Sequence, residues 1–500
     1  MKRRTFVLGA TGAMLGFSSV RRAYSRVSSV ESGAELIIPE IMDVGAGAGN
    51  TLEAIPGESQ FFSKQKTRTL GYNQSYLGPV IRVKRGNNAD LTVANRTSGP
   101  ITAHWHGLHT EGVNDGGPQT AFGPGKNWSP SLNIDQPAST LWYHSHVHRL
   151  TGPQVYAGLA GLMIIEDPDA AISGLPNSYG VDDIPLIVQD RAFDDDAQLV
   201  YVSRGPTLMH GLRGGQILVN GVIRPKAGVP QGVVRFRILN ASNARIYTFA
   251  FEDGRSFHQI GTDGGLLARP ATMNSLVLAP AERAEVLVDF SDGKSARLLS
   301  GQDFNDPMAS GNMMGGMMSR MMGVDFGGPT TIDEDGRFEI MSFEVNQAKA
   351  AKVQAIPVNI ASAPSEPDWG EPVRERSFSM EMSMGGMMGS QNSMSINGKP
   401  MDMSRIDTQV KLNETELWKV SSNNMAHPFH IHGTSFQVVS QNRQKVAFDQ
   451  TGLKDVFLVQ GEAEFLVRFQ KKADSTTPFM YHCHILEHED AGMMGQFTVS

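Results

Sequence analysis

Five hundred residues are too many for one hydrophobic core, and about three domains of ordinary size fit the length. A hydrophobic share of 40% with 19% charged residues describes a globular chain, and a formal charge of −7 excludes nucleic acid and anionic membrane as natural partners. The single cysteine, Cys483, permits no internal disulfide, so in an oxidising compartment its thiol must be buried, bound or reactive.

In chain order, Lys2, Arg3 and Arg4 precede an apolar run from Phe6 to Phe17. That run is too short to span a bilayer, and its basic flank marks residues 1–30 as a cleaved export signal. The paired arginines resemble a twin-arginine signal, which hands an already folded protein to the twin-arginine export machinery. The expected mature protein is soluble, periplasmic and monomeric.

Beyond it, short β-like runs are broken by Gly, Pro, Asn and Asp, with little helical periodicity. Three segments look like copies of one another: Val80 to Gly107, Gly228 to Phe249, and Thr408 to Gly433. Each reads as strand, turn, alternating strand, an Asn-rich corner (Asn95, Asn240, Asn423) and a strand entering a site. The ends LWYHSHVH and FMYHCHILEH share a frame in which Ser145 faces Cys483. Repeats of this size predict an all-β protein of three sandwiches, spanning 31–168, 169–345 and 380–500, with 346–379 as a surface connector.

Ten of the fourteen histidines fall in four clusters: His104 and His106; His144 and His146; His427, His430 and His432; His482, His484 and His488. Residues two apart on a strand share a face, so each HxH pair offers two imidazoles to one point. Four such pairs, two from each end of the chain, suffice for a three-metal cluster between domains. Cys483 must point to the opposite face from His482 and His484, where it can join His427, His488 and a weak axial Met493, with Met494 as rival. Two His, one thiolate and a distant Met describe a blue-copper electron-transfer site.

The blocks HWHG, HSH, HPFHIH and HCHxxxHxxxxM resemble the multicopper oxidase family, and most closely its bacterial copper efflux oxidases, with laccases as relatives. The resemblance implies three cupredoxin-like domains, four copper ions and dioxygen as electron acceptor. It places type 2 copper on His104 and His430, and the type 3 pair on His106, His144 and His484 and on His146, His432 and His482. Type 1 copper falls to His427, Cys483, His488 and Met493. It further implies proton-relay roles for Asp115 and Glu489. The middle repeat carries NARIYTF where the others carry His, so it should hold no copper.

Twenty-six methionines include fifteen in two Gly/Ser-rich tracts, 308–322 and 380–403. Such tracts predict exposed loops, and clustered thioethers favour Cu(I). The rival reading is apolar filler or an oxidation sink. The resemblance points to Met425, with Met380 as partner, for a labile substrate copper, although Asn423 stands where the family commonly has Asp. The expected function is Cu(I) oxidation. The alternatives are a laccase acting on small organic reductants, and a non-enzymatic copper-storage or division-associated relative, the latter lacking the ligands this chain retains.

Overall fold

The computed structural model describes residues 33–500 apart from 48, 168–173, 302, 304, 306–335, 361–362 and 383–393. The export signal, the whole 308–322 tract and Met384, Met387 and Met388 therefore lie outside the described residues. The described chain is all-β with a few short helices. Its strands gather into three sandwich-like units, each around its own apolar core.

The first unit pairs two sheets. One carries, side by side, Ile41–Asp43, Val80–Lys84, Ala160–Glu166, Ser139–His144 and His104–His106. The other is built on Asn50–Phe62 and Asn88–Asn95. Leu52, Val93, Trp105, Tyr143 and Met163 fill the space between them. The middle unit stacks a seven-stranded sheet on a five-stranded one around Phe236, Phe249 and Phe343. In the third, the 17-residue strand Thr415–Ile431 pairs with Val456–Arg468, Phe479–Cys483 and Arg374–Met382. A further core drawn from all three units, with Trp142, Leu239 and Val456 among its members, joins them.

The repeats differ at their corners. Asn95 donates its amide hydrogens to the carbonyls of Gly99 and Phe122, and Asn240 does the same to Arg245 and Leu278. Both corners are thus side-chain-stapled turns. The third repeat has no such turn. Its strand continues through an exposed Asn423, and the register shifts between Ser422 and His427. That bulge re-aims the chain just before His427.

Two expectations need correction. Residues 346–379 are not all connector, because Phe338–Ala350 pairs with Lys226–Gln231 and Arg374–Met382 runs parallel to Glu416–Ser422. Met380 is not in an exposed loop. In RERSFSMEM, Phe378 and Met380 alternate with serines at strand period and point into the core, leaving Met380 only 2% exposed. Met394 and Met401 are buried as well, and only Met403 of the described tract is exposed.

Candidate metal centre

Strand register builds the site. His104 lies opposite His144, and His106 opposite Trp142, in an antiparallel pair. In the third unit His430 lies opposite His482, while Phe429 lies opposite Cys483. Directly opposed residues share a face. His430 and His482 therefore look toward the first unit, and Cys483, with His427 two residues from Phe429, looks into the third unit's own core. The facing strands then meet ring on ring: His104 stacks on His432 at 3.9 Å and His106 on His430 at 3.7 Å. All eight imidazoles are buried between units one and three.

Six of the eight have an outward nitrogen held, and the holders fix their tautomers. His104 Nδ1 faces the Asp115 carbonyl at 2.9 Å, His144 Nδ1 that of Ser145 at 2.9 Å, His430 Nδ1 that of Asp455 at 2.7 Å, and His482 Nδ1 that of Cys483 at 3.0 Å. A carbonyl only accepts, so each Nδ1 carries the hydrogen and each Nε2 turns a lone pair inward. His432 Nδ1 donates to the Asp115 carboxylate at 2.8 Å. His106 is reversed, with Nε2 on Asp455 Oδ1 at 3.1 Å.

The inward nitrogens do not satisfy one another. His104 Nε2, His106 Nδ1, His144 Nε2, His430 Nε2 and both ring nitrogens of His484 are buried without a hydrogen-bond partner. The Nε2 atoms of His432 and His482 stand 3.2 Å apart, lone pair to lone pair. Burial holds His106, His144, His146, His430, His432 and His484 well below the usual imidazole range, and His482 down to about 3. Neutral, desolvated nitrogens aimed at shared space are what a metal ion satisfies. The convergent groups here are His104, His430 and His432; His104, His106 and His144; His106, His430 and Asp455; and His146, His432 and His482. The last is one of the expected type 3 sets. His484 packs against the other, with ring centres 5.0 Å from His106 and 5.4 Å from His144.

Behind this cluster, His427 Nδ1, His488 Nδ1 and Cys483 Sγ form a second convergent group. Sγ lies 3.3 Å from His427 and 3.8 Å from His488, and the two nitrogens are 3.3 Å apart. His488 Nε2 donates to the Met209 carbonyl at 3.2 Å, turning the Nδ1 lone pair toward sulfur. Burial lowers His427 to about 4 and pushes the Cys483 thiol up, so metal binding must release its proton. Met493 shares the apolar core around Cys483, and its N–H donates to the His488 carbonyl. Met494 packs elsewhere, with Met401 and Met480. The chemistry of the donor set fits a mononuclear copper held by Cys483, His427, His488 and Met493, and a multinuclear one held by the eight imidazoles.

Asp115 and Glu489 are both buried at the rim. Glu489 reaches across the interface, 3.4 Å from His146 Nδ1 and 3.2 Å from His482 Nδ1, and burial raises its carboxyl well above the ordinary range. Asp455 was missing from the sequence-derived set, because one acid in LKDVF carries no motif. Glu487 was missing too; it accepts from Leu212 N–H and the Asn243 amide of the middle unit. Met425 is half-buried beside the second group, and Met380 faces away from solvent. No histidine of the middle unit joins these groups among the described residues; in its NARIYTF run Arg245 instead pairs with Asp190 at 2.9 Å.

An all-β chain whose opposed HxH strands enclose buried, unprotonated imidazoles beside a Cys–His–His group is a cupredoxin-type metalloprotein. Two family models, both described as multicopper oxidase, match residues 56–170 and 372–500. The chain is 32% identical to the multicopper oxidase mco of Staphylococcus haemolyticus, covering 95% of this chain and 94% of the relative. It is 36% identical to the cell division protein FtsP of Edwardsiella tarda, covering 94% and 93%. The solved laccase-like multicopper oxidase CueO of Ochrobactrum sp. shares its fold with a TM-score of 0.82 at 38% identity, covering 93% of this chain and all of that one. The chain belongs to the multicopper oxidase family. It is a copper-containing oxidoreductase that uses dioxygen and a reducing substrate.

Proposed function

We propose that this enzyme couples oxidation of Cu(I) to Cu(II) to four-electron reduction of dioxygen to water, as an exported, periplasmic protein of copper homeostasis. The resident cofactor in this reading is four coppers, one at Cys483 and three among the eight imidazoles, supplying one-electron storage and oxygen reduction. Cys483 is bonded in sequence to His482 and His484, so an electron received at its sulfur has a short covalent route to the cluster's rings. Asp115 and Glu489, each touching imidazoles of the opposite unit, are the carboxylates placed to hand protons inward.

The observation that supports this substrate is the set of methionines packed on the core that contains Cys483. Met209, Met382 and Met425 are half-buried against the core that holds Cys483 and Met493. Asn305, which leads into the first Met-rich tract, exchanges hydrogen bonds with both N–H and carbonyl of Ala426, between Met425 and His427. Soft thioethers at the electron entry favour Cu(I) and release Cu(II). The test compares turnover of Cu(I) and of a bulky phenol. Met425→Leu should slow Cu(I) about tenfold, the loss of ~1.4 kcal/mol of ligand interaction, and leave the phenol unchanged. Met382 pairs directly with Met394, so replacing 383–393 by an Asn-Gly turn keeps the strands. That variant should also lose Cu(I) turnover. Unchanged Cu(I) kinetics in both would make the methionines filler.

Direct phenol oxidation is the second reading, favoured by the Ochrobactrum relative's described oxidase activity towards lignin model compounds and lignosulfonate. A non-enzymatic copper-storage or division-associated role has the convergent ligand groups against it; the FtsP relative is described as a cell division protein.

A further inference from the structure

The middle unit supplies no imidazole to the cluster, yet it reaches it. Arg283, fully buried, forks onto Asp455 of the third unit, with Nη1 at 2.7 Å from Oδ1 and Nη2 at 2.5 Å from Oδ2. Its remaining hydrogens go to the carbonyls of Thr140, Ala281 and Asp263. Asp455 in turn meets two rings: its carboxylate faces His106 Nε2 and its carbonyl faces His430 Nδ1. His106 is the ring that is reversed, with Nδ1 buried and partnerless on the inward side.

We propose that Arg283 and Asp455 are a positioning clamp that selects Nδ1 as the nitrogen His106 offers to the cluster. The bidentate fork fixes the carboxylate in plane, and the carboxylate can only accept, so the hydrogen is held on Nε2 and the lone pair on Nδ1. Gly107, the last residue of HWHG, fits this independently. Its φ is +88°, and a Cβ there would stand 2.4 Å from Asp455 Oδ2 and 2.8 Å from Arg283 Nη2. Only glycine lets the His106 strand settle onto the clamp.

The inference rests on the copper-cluster reading, so the wild-type chain comes first. Four bound coppers with the blue absorbance support that reading, and a single copper ends it whatever the clamp does. In Asp455→Asn the amide oxygen turns to Arg283 and the NH2 donates to His106 Nε2, which moves the hydrogen to Nδ1. The expected result is an intact blue band, about one copper fewer per chain, and a new paramagnetic resonance signal from the copper left without its coupled neighbour. Gly107→Ala, which changes no charge, should give the same signature by displacing the clamp. Asp455→Asn with wild-type copper content and resonance spectrum overturns the proposal. If that variant does not fold, Gly107→Ala decides by the same two readouts.

Discussion

The strand ends LWYHSH and FMYHCH carry the same frame into opposite sides of one cluster, but their central residues meet different worlds. The Ser145 hydroxyl donates to Gln154 at 2.6 Å and accepts from Thr102 N–H, and no imidazole is bonded to that hydroxyl. Cys483 sits among Phe429, Tyr481 and Met493, with the nitrogens of His427 and His488 closing on its sulfur. The difference teaches that an HxH pair makes a ligand set from register alone. An electron entry needs a second set on the back of the same strand, and only the third unit supplies His427 through its bulge.

Making the two strands alike should have the largest effect. Cys483→Ser should abolish the blue absorbance and oxidase turnover, measured by spectrophotometry and oxygen uptake, while circular dichroism shows the fold retained. Next come the crossed carboxylates. Asp115 of unit one holds His432 of unit three, so Asp115→Asn should cost about 10–100-fold in turnover or cluster copper while the blue band persists. Removing copper by chelation should then lower the thermal midpoint, because ions that bind only the assembled site stabilise by about 4 kcal/mol at a thousandfold excess over Kd. Met493→Leu should keep the colour and raise the potential of the blue copper, read by redox titration. The smallest effect is expected of Ser145→Cys. It should create no second blue site and leave copper content unchanged, since no imidazole stands at that atom.

How far the sequence disclosed the site follows from range. HxH spacing and the lone cysteine are local, and strand periodicity sets which face each takes, while His488 comes from the short helix that follows and Met493 lies in the same core as Cys483. Asp455 and Arg283 were invisible because their meaning lies in contacts between chain segments far apart: Asp455 with His106, Arg283 with Asp455. Met380 was misread because a Met-rich composition masked the period-two alternation of Phe378 and Met380. The corner expected at Asn423 failed because an asparagine that staples a turn in two repeats has no carbonyl to staple where the strand continues.

The short helix Leu486–Asp490 carries a consequence for modularity. His427, Cys483, His488 and Met493 all belong to one unit, so a gene fragment encoding it would inherit every ligand proposed for the blue site. That fragment would lose Leu212 and Asn243 from Glu487, and the Thr151 and Gly152 amides from Asp490. It would also lose His104, His106, His144 and His146, four of the eight clustered imidazoles. Splitting the polypeptide would thus leave an electron shuttle with no terminal acceptor.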